Sequence, residues 1–248
     1  MPFDYTDLLL YIVMSIAIVS LLYGSYTDIK HRTVKSILFI PLALSGFALN
    51  YYLQLPVAYL AAGLIIFLLS FLDPETYAYE IVALVFLIVS VFVIIDISHF
   101  WGFQLLVMSV VYLIGFQERL FGIGDIKAII ALMYSSSLYS PIVGYVTGNS
   151  LNLGIIPTSV ALLTNISVFA IVFVSYAIYL AYRHGSVAVR GQPFAIKYDL
   201  SLHSRNPAAY REGEKDGTKF LIYRIPFIVP IALGYLLFII TGFWPAIL

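Results

Sequence analysis

The sequence predicts an all-α polytopic membrane protein of six to eight transmembrane helices, with a small cytoplasmic, strand-containing insertion before the last helix. Three observations predict it. Of 248 residues, 62% are hydrophobic and only 10% charged, where soluble domains have about half and about a quarter. The apolar residues fall into long runs, several near the roughly 20 residues that cross a bilayer. The charges gather at a few places, so a net charge of zero hides a strong asymmetry. So few charges exclude disorder, a coiled coil and a nucleic-acid partner. Zero cysteines remove disulfides, thiolate metal sites and a thiol nucleophile. The four histidines lack H-E-x-x-H spacing, so neither a metal site nor any other cofactor is expected.

The first apolar run, 8–27, is preceded by Asp4 and Asp7 rather than by a basic region. It offers no small-x-small cleavage site before Tyr23, and it reads as a retained helix rather than a signal peptide. Further runs fall near 36–54, 57–72, 79–97, 100–117, 126–140, 156–182 and 222–243. Those at 57–72 and 126–140 are short, which sets the lower count of six. Eight crossings from an outer N-terminus put 28–35, 73–78, 118–125 and 183–221 in the cytoplasm. All thirteen Lys and Arg then lie in or beside those segments, as the positive-inside rule requires of a multi-pass protein of the cell membrane. The chain accordingly divides into a helical core (1–182), a soluble segment (183–221) and a final helix (222–248). Within the soluble segment, Ser186 to Arg190 and Phe194 to Tyr198 alternate like short strands. Glu214 to Gly217 could close a hairpin between Tyr210 and Phe220. About forty residues hold little core, so this unit should lean on the membrane domain.

Carboxylates near a bilayer are costly and point to function. Asp4, Asp7, Asp73 and Glu75 fall in aqueous loops, Glu80 and Glu118 at helix ends, and Asp199, Glu212, Glu214 and Asp216 in the soluble segment. Asp96 at the outer end is placed to pair with His99 three residues on. His31, His184 and His203 read as solvated, and the 20 Tyr and 18 Phe as lipid-facing and interfacial surface.

Asp28 and Asp125 remain. Asp125 lies in Gly122-Ile123-Gly124-Asp125-Ile126-Lys127 at the start of an apolar helix. A helix cap accounts for such an Asp as well as chemistry does. Gly122 and Gly124 would let a substrate backbone approach the carboxylate, and Lys127 is either a snorkelling lysine or a group that orients substrate or tunes Asp125. Asp28 ends the first run, at the unfavourable end of its own helix dipole. Counted from the outer N-terminus, one crossing precedes Asp28 and five precede Asp125, both odd numbers, which puts Asp125 at the cytoplasmic depth of Asp28. Two adjacent carboxylates share one proton, so one can activate water while the other polarises a carbonyl. That is aspartyl-protease chemistry and needs neither metal nor thiol.

These residues resemble the type IV prepilin peptidases, especially the archaeal preflagellin/prepilin type of G-x-G-D membrane proteases. Asp28-Ile29-Lys30-His31-Arg32 resembles the family's first catalytic aspartate and the basic stretch after it. Gly122 to Lys127 matches its G-x-G-D-x-K, and Arg224-Ile225-Pro226-Phe227 through Pro230 to Gly234 resembles its closing R-x-P-F-x-x-P-x-x-x-G helix. The resemblance implies Asp28 and Asp125 as catalytic residues, with Gly122, Gly124 and Lys127 supporting them. It implies prepilin- or preflagellin-like precursors as partners, cut at the cytoplasmic face to remove short basic leaders. The bacterial tetracysteine zinc segment and methylation are not carried over to a chain without cysteine. Four helices fit between the first helix and Asp125 where short archaeal members have two, and an inserted hairpin preserves the parity.

Two other readings stand beside this one. Presenilin-like and signal-peptide-peptidase-like proteases share G-x-G-D, but they place Tyr-Asp before it and Pro-Ala-Leu after it. Here Tyr198-Asp199 comes later, and Pro230-Ile231-Ala232-Leu233 breaks the tripeptide. A small transporter could use the aspartates as an ion site, although no inverted repeat is visible and both acids sit at helix ends.

Overall fold

A computed structural model describes residues 5–72, 77–114, 122–138, 156–187, 189, 194–215 and 217–243. The protein is mostly helical, with a three-stranded sheet near the C-terminus. In chain order the helices of the first part are α1 (Tyr5–His31), α2 (Ile40–Tyr52) entered through a 3-10 turn (Ser36–Phe39), α3 (Val57–Leu69), α4 (Tyr77–Asp96), α5 (His99–Ile114), α6 (Ile123–Ser135) and α7 (Thr158–Arg183). Then come β1 (Ala195–Lys197), the short α8 (Leu200–Arg205), β2 (Tyr210–Lys215), β3 (Thr218–Tyr223) and α9 (Ile228–Thr241). Every expected apolar run contains a helix. The predicted 73–78 turn, Glu118, Arg119, Arg190 and Asp216 lie wholly or partly outside the described residues.

Among the described residues, three helices are long and apolar enough to cross a membrane: α1, α4 from Ala78, and α7. The other apolar helices are shorter. Thirteen residues, as in α3 and α6, rise only about 20 Å, less than a hydrocarbon core of about 30 Å. The long helices turn apolar side chains outward. On α4 the exposed stripe is Ile81, Leu84, Ile88, Phe92 and Ile95; on α7 it includes Ile171, Val172, Ile178 and Tyr179. Such surfaces would be unstable in water and are stable against acyl chains.

The centre of the bundle is α6, buried continuously from Ile126 to Ser135 with α2, α3 and α5 around it. Close approach needs residues without side chains. A Cβ on Gly46 of α2 would lie 2.7 Å from the Ser135 Cα, and one on Gly234 of α9 would lie 2.5 Å from the Ile166 Cα. Buried polar groups are paired across helices. Asn50 Nδ2 donates to the Tyr134 carbonyl at 2.9 Å, Tyr134 Oη donates to the Leu60 carbonyl at 2.9 Å, and Gln104 Nε2 donates to Thr158 Oγ1 at 2.7 Å. With no water in lipid, such bonds replace hydration that the groups would otherwise lose. They also correct one expectation. Tyr59, Tyr112, Tyr134 and Tyr235 are among the largest fully buried side chains, so the aromatics fill the core as well as the surface.

The polar unit forms an antiparallel sheet in the order β1-β3-β2. The expected hairpin is present, with Lys215 opposite Thr218, and Ser186 bridges to Ile196. Its small core joins Ile196 and Leu221 to Ala181 of α7, the lean expected of so small a unit. Helix α8 was not foreseen. Asp199 caps it by accepting from the Ser201 backbone at 2.8 Å and the Ser201 hydroxyl at 2.7 Å, and these bonds hold its carboxyl below the ordinary aspartate value. Strand β3 continues to Tyr223, and α9 starts only at Ile228, after Pro226.

Candidate active site

Asp28 lies in the last turn of α1 and is buried. Its carboxylate oxygen Oδ2 accepts from the backbone N–H of Ile228 at 3.0 Å, the first residue of α9. Phe227, the residue just before α9, supplies no side-chain cap, so Asp28 caps that helix from across the bundle. An aspartate at the unfavourable end of its own helix thus sits at the favourable end of another. The sequence argument from the α1 dipole is corrected by this contact. Two cations stand near enough to act on its charge, Arg32 and Arg224.

Asp125 lies in the first turn of α6 and is partly buried. Its Oδ2 accepts from the Gly122 N–H at 2.9 Å, a local cap of the kind the sequence anticipated. Gly122 has φ −72, so it needs no left-handed backbone; a Cβ there would meet the Asp125 carboxylate at 3.3 Å. The nearest neighbour of a Cβ on Gly124 would be the Val34 carbonyl at 3.5 Å, which packs the start of α6 against the segment that follows α1. Both acids therefore lie where the end of α1 and the start of α6 come together, at one end of the bundle.

Lys127, one turn along from Gly124, is buried. Its Nζ donates to Ser36 Oγ at 3.1 Å and stands 4.3 Å from the centre of the Phe71 ring. The ammonium therefore ties α6 to the turn before α2 and to the residues after α3. Neither Ser36 nor Phe71 stood out in the sequence, and nothing local in it points to them. The Ile228 amide was equally hidden, although the R-x-P-F pattern marked its surroundings.

The expected pairing of Asp96 with His99 does not form. Helix α4 ends at Asp96 and α5 begins at His99, so the two are not three residues apart on one helix; His99 Nδ1 is instead 2.7 Å from the Ile94 carbonyl. Among the described residues, the one ion pair within 4 Å joins His203 and Glu212, at 3.5 Å, and no cluster of three metal-ligating side chains occurs.

No protein-family model, curated protein or solved structure matches this chain.

Proposed function

We propose that the chain is a membrane aspartyl endopeptidase that removes short basic leaders from prepilin- or preflagellin-like precursors, with Asp28 and Asp125 as its catalytic pair. The observation that carries this reading is that two helix ends far apart in sequence, each bearing an acid, pack together at one end of the bundle, with the Val34 carbonyl against Gly124. In this reading all the apolar helices lie within the membrane, giving six to eight spans. The basic residues place the acid end at the cytoplasmic face of the cell membrane. A precursor there presents a positively charged leader followed by an apolar segment. The apolar segment enters the bilayer and the scissile bond stays at the interface.

The pair holds one proton. The ionised carboxylate takes a proton from a water as its oxygen attacks the scissile carbonyl carbon, while the protonated carboxyl donates to the carbonyl oxygen. Collapse of the tetrahedral intermediate breaks the C–N bond and a proton passes to the leaving amine. Hydrogen bonds from Ile228 and Gly122 each occupy one oxygen of an acid, which leaves the second oxygen of each for water and substrate. The burial of Asp28 limits competing water.

Replacing either acid by Asn separates chemistry from capping, because an amide oxygen still accepts the Ile228 or Gly122 N–H but cannot act as a base. Asp28→Asn and Asp125→Asn should each abolish cleavage of a co-expressed prepilin, read by mobility shift, while the protein inserts and purifies like the parent. Normal cleavage by either variant would remove the pair from the mechanism.

A further inference from the structure

The geometry points to Arg224 as a positioning residue for Asp28, which makes the polar three-stranded unit part of the active end rather than an appendage to it. This inference rests on the peptidase reading above. Three hydrogen bonds and one stretch of chain close a ring around the acid. Arg32, the first residue after α1, donates its backbone N–H to the Asp28 carbonyl at 2.9 Å. The Arg32 carbonyl accepts from Arg224 Nη2 at 2.8 Å. From Arg224 the chain runs through Ile225, Pro226 and Phe227 to Ile228, and the Ile228 N–H returns to the Asp28 carboxylate at 3.0 Å. Asp28 is thus held by its backbone and by its side chain through one circuit, and Pro226 stiffens the covalent part of it.

The circuit is fastened to the sheet. The Arg224 backbone N–H donates to the Ala209 carbonyl at 2.9 Å, just before β2. The Arg32 guanidinium lies over the ring of Tyr223, the last residue of β3, at 5.5 Å, and Tyr223 in turn packs on Tyr210 and on Tyr176 of α7. Arg32 adopts φ 53, a left-handed backbone that favours glycine and costs a side-chain-bearing residue of order 1 kcal/mol. The protein keeps an arginine there, and it buries the Nε and Nη1 of that arginine without hydrogen-bond partners. Neither cost is explained by α1 alone, which a glycine would end more cheaply. Both are explained if this residue must join the helix that carries Asp28 to the sheet.

A planar guanidinium reaches the Arg32 carbonyl with a fixed direction, whereas a lysine ammonium supplies the charge without that geometry. Displacing a catalytic group by about 1 Å can cost on the order of 100-fold in rate. The test is steady-state cleavage of a purified prepilin by detergent-solubilised, monodisperse enzyme. Arg224→Ala should lower kcat by roughly 10- to 100-fold with KM little changed. Arg224→Lys should recover part of that loss, and Arg211→Gln, on exposed β2, should turn over like the parent. If Arg224→Ala does not purify folded, Arg224→Gln and Arg224→Lys are judged by the same kcat. Parental turnover per folded molecule in the Arg224 variants, or an equal loss in Arg211→Gln, would overturn the inference. Asp28→Asn measured alongside keeps the two levels apart: its inactivity upholds the peptidase reading even where Arg224 proves dispensable, and its activity removes that reading itself.

Discussion

At the scale of single residues, the two acids differ in how legible they were. Asp125 announced itself through its glycines, and its cap to Gly122 is a contact over three residues that a sequence can anticipate. The partner of Asp28 is 200 residues away; no local pattern reports it, and the dipole of its own helix pointed the wrong way. Lys127 shows the same limit. Its position in the motif was visible, but its attachments to Ser36 and Phe71 arise only when three helix ends meet. Those attachments should be measurable. Lys127→Met keeps the apolar stem and removes the ammonium, forfeiting one hydrogen bond and a desolvated cation–π contact, together about 2 kcal/mol. Amide hydrogen exchange over residues 34–38 should accelerate in this variant while the centre of α6 stays protected. Unchanged exchange would mean that the ammonium does not hold this turn.

Among the elements, hydrophobic runs located the helices well because in a membrane protein an apolar run has few alternatives. Their ends were less secure. The last run begins at 222 in the sequence, yet residues up to Tyr223 complete β3, where Phe220 and Leu221 are buried under the sheet. An apolar pair on a strand and one on a helix look alike in so short a stretch. The missing Asp96–His99 pair has a similar origin, since a helix spacing was applied across a break between helices. Crossing distances are invisible in composition but visible in glycine contacts. Gly234→Ala should push α9 away from Ile166 and lower stability by about 1–3 kcal/mol, seen as a lower midpoint of thermal unfolding in detergent. A midpoint equal to that of the parent would show that α7 and α9 are not in such close contact.

For the whole molecule, the arrangement joins three kinds of element at one end. Helix α1 brings Asp28, the central helix α6 brings Asp125, and the start of α9 brings the amide that holds Asp28. Among the described residues three helices are long enough to cross a bilayer unaided, and the shorter ones depend on their neighbours for burial; α6 is sheathed almost completely. That places the second acid at the start of the most continuously buried helix of the bundle and the first at a junction tied to the polar sheet. Parity of crossings predicts a shared depth for the acids, but it says nothing of which way each carboxylate turns, because rotation of each helix is set by packing.

The convergence of Asp28 and Asp125 is the claim on which the rest depends, and a chain with no cysteine is a clean background for testing it. Cysteines introduced as Asp28→Cys and Asp125→Cys, treated in native membranes with a short bifunctional thiol reagent, should cross-link as readily as a Ser90→Cys and Ser109→Cys control pair, whose hydroxyl oxygens lie 3.1 Å apart across α4 and α5. Efficient cross-linking of the control with none between positions 28 and 125 would contradict the account.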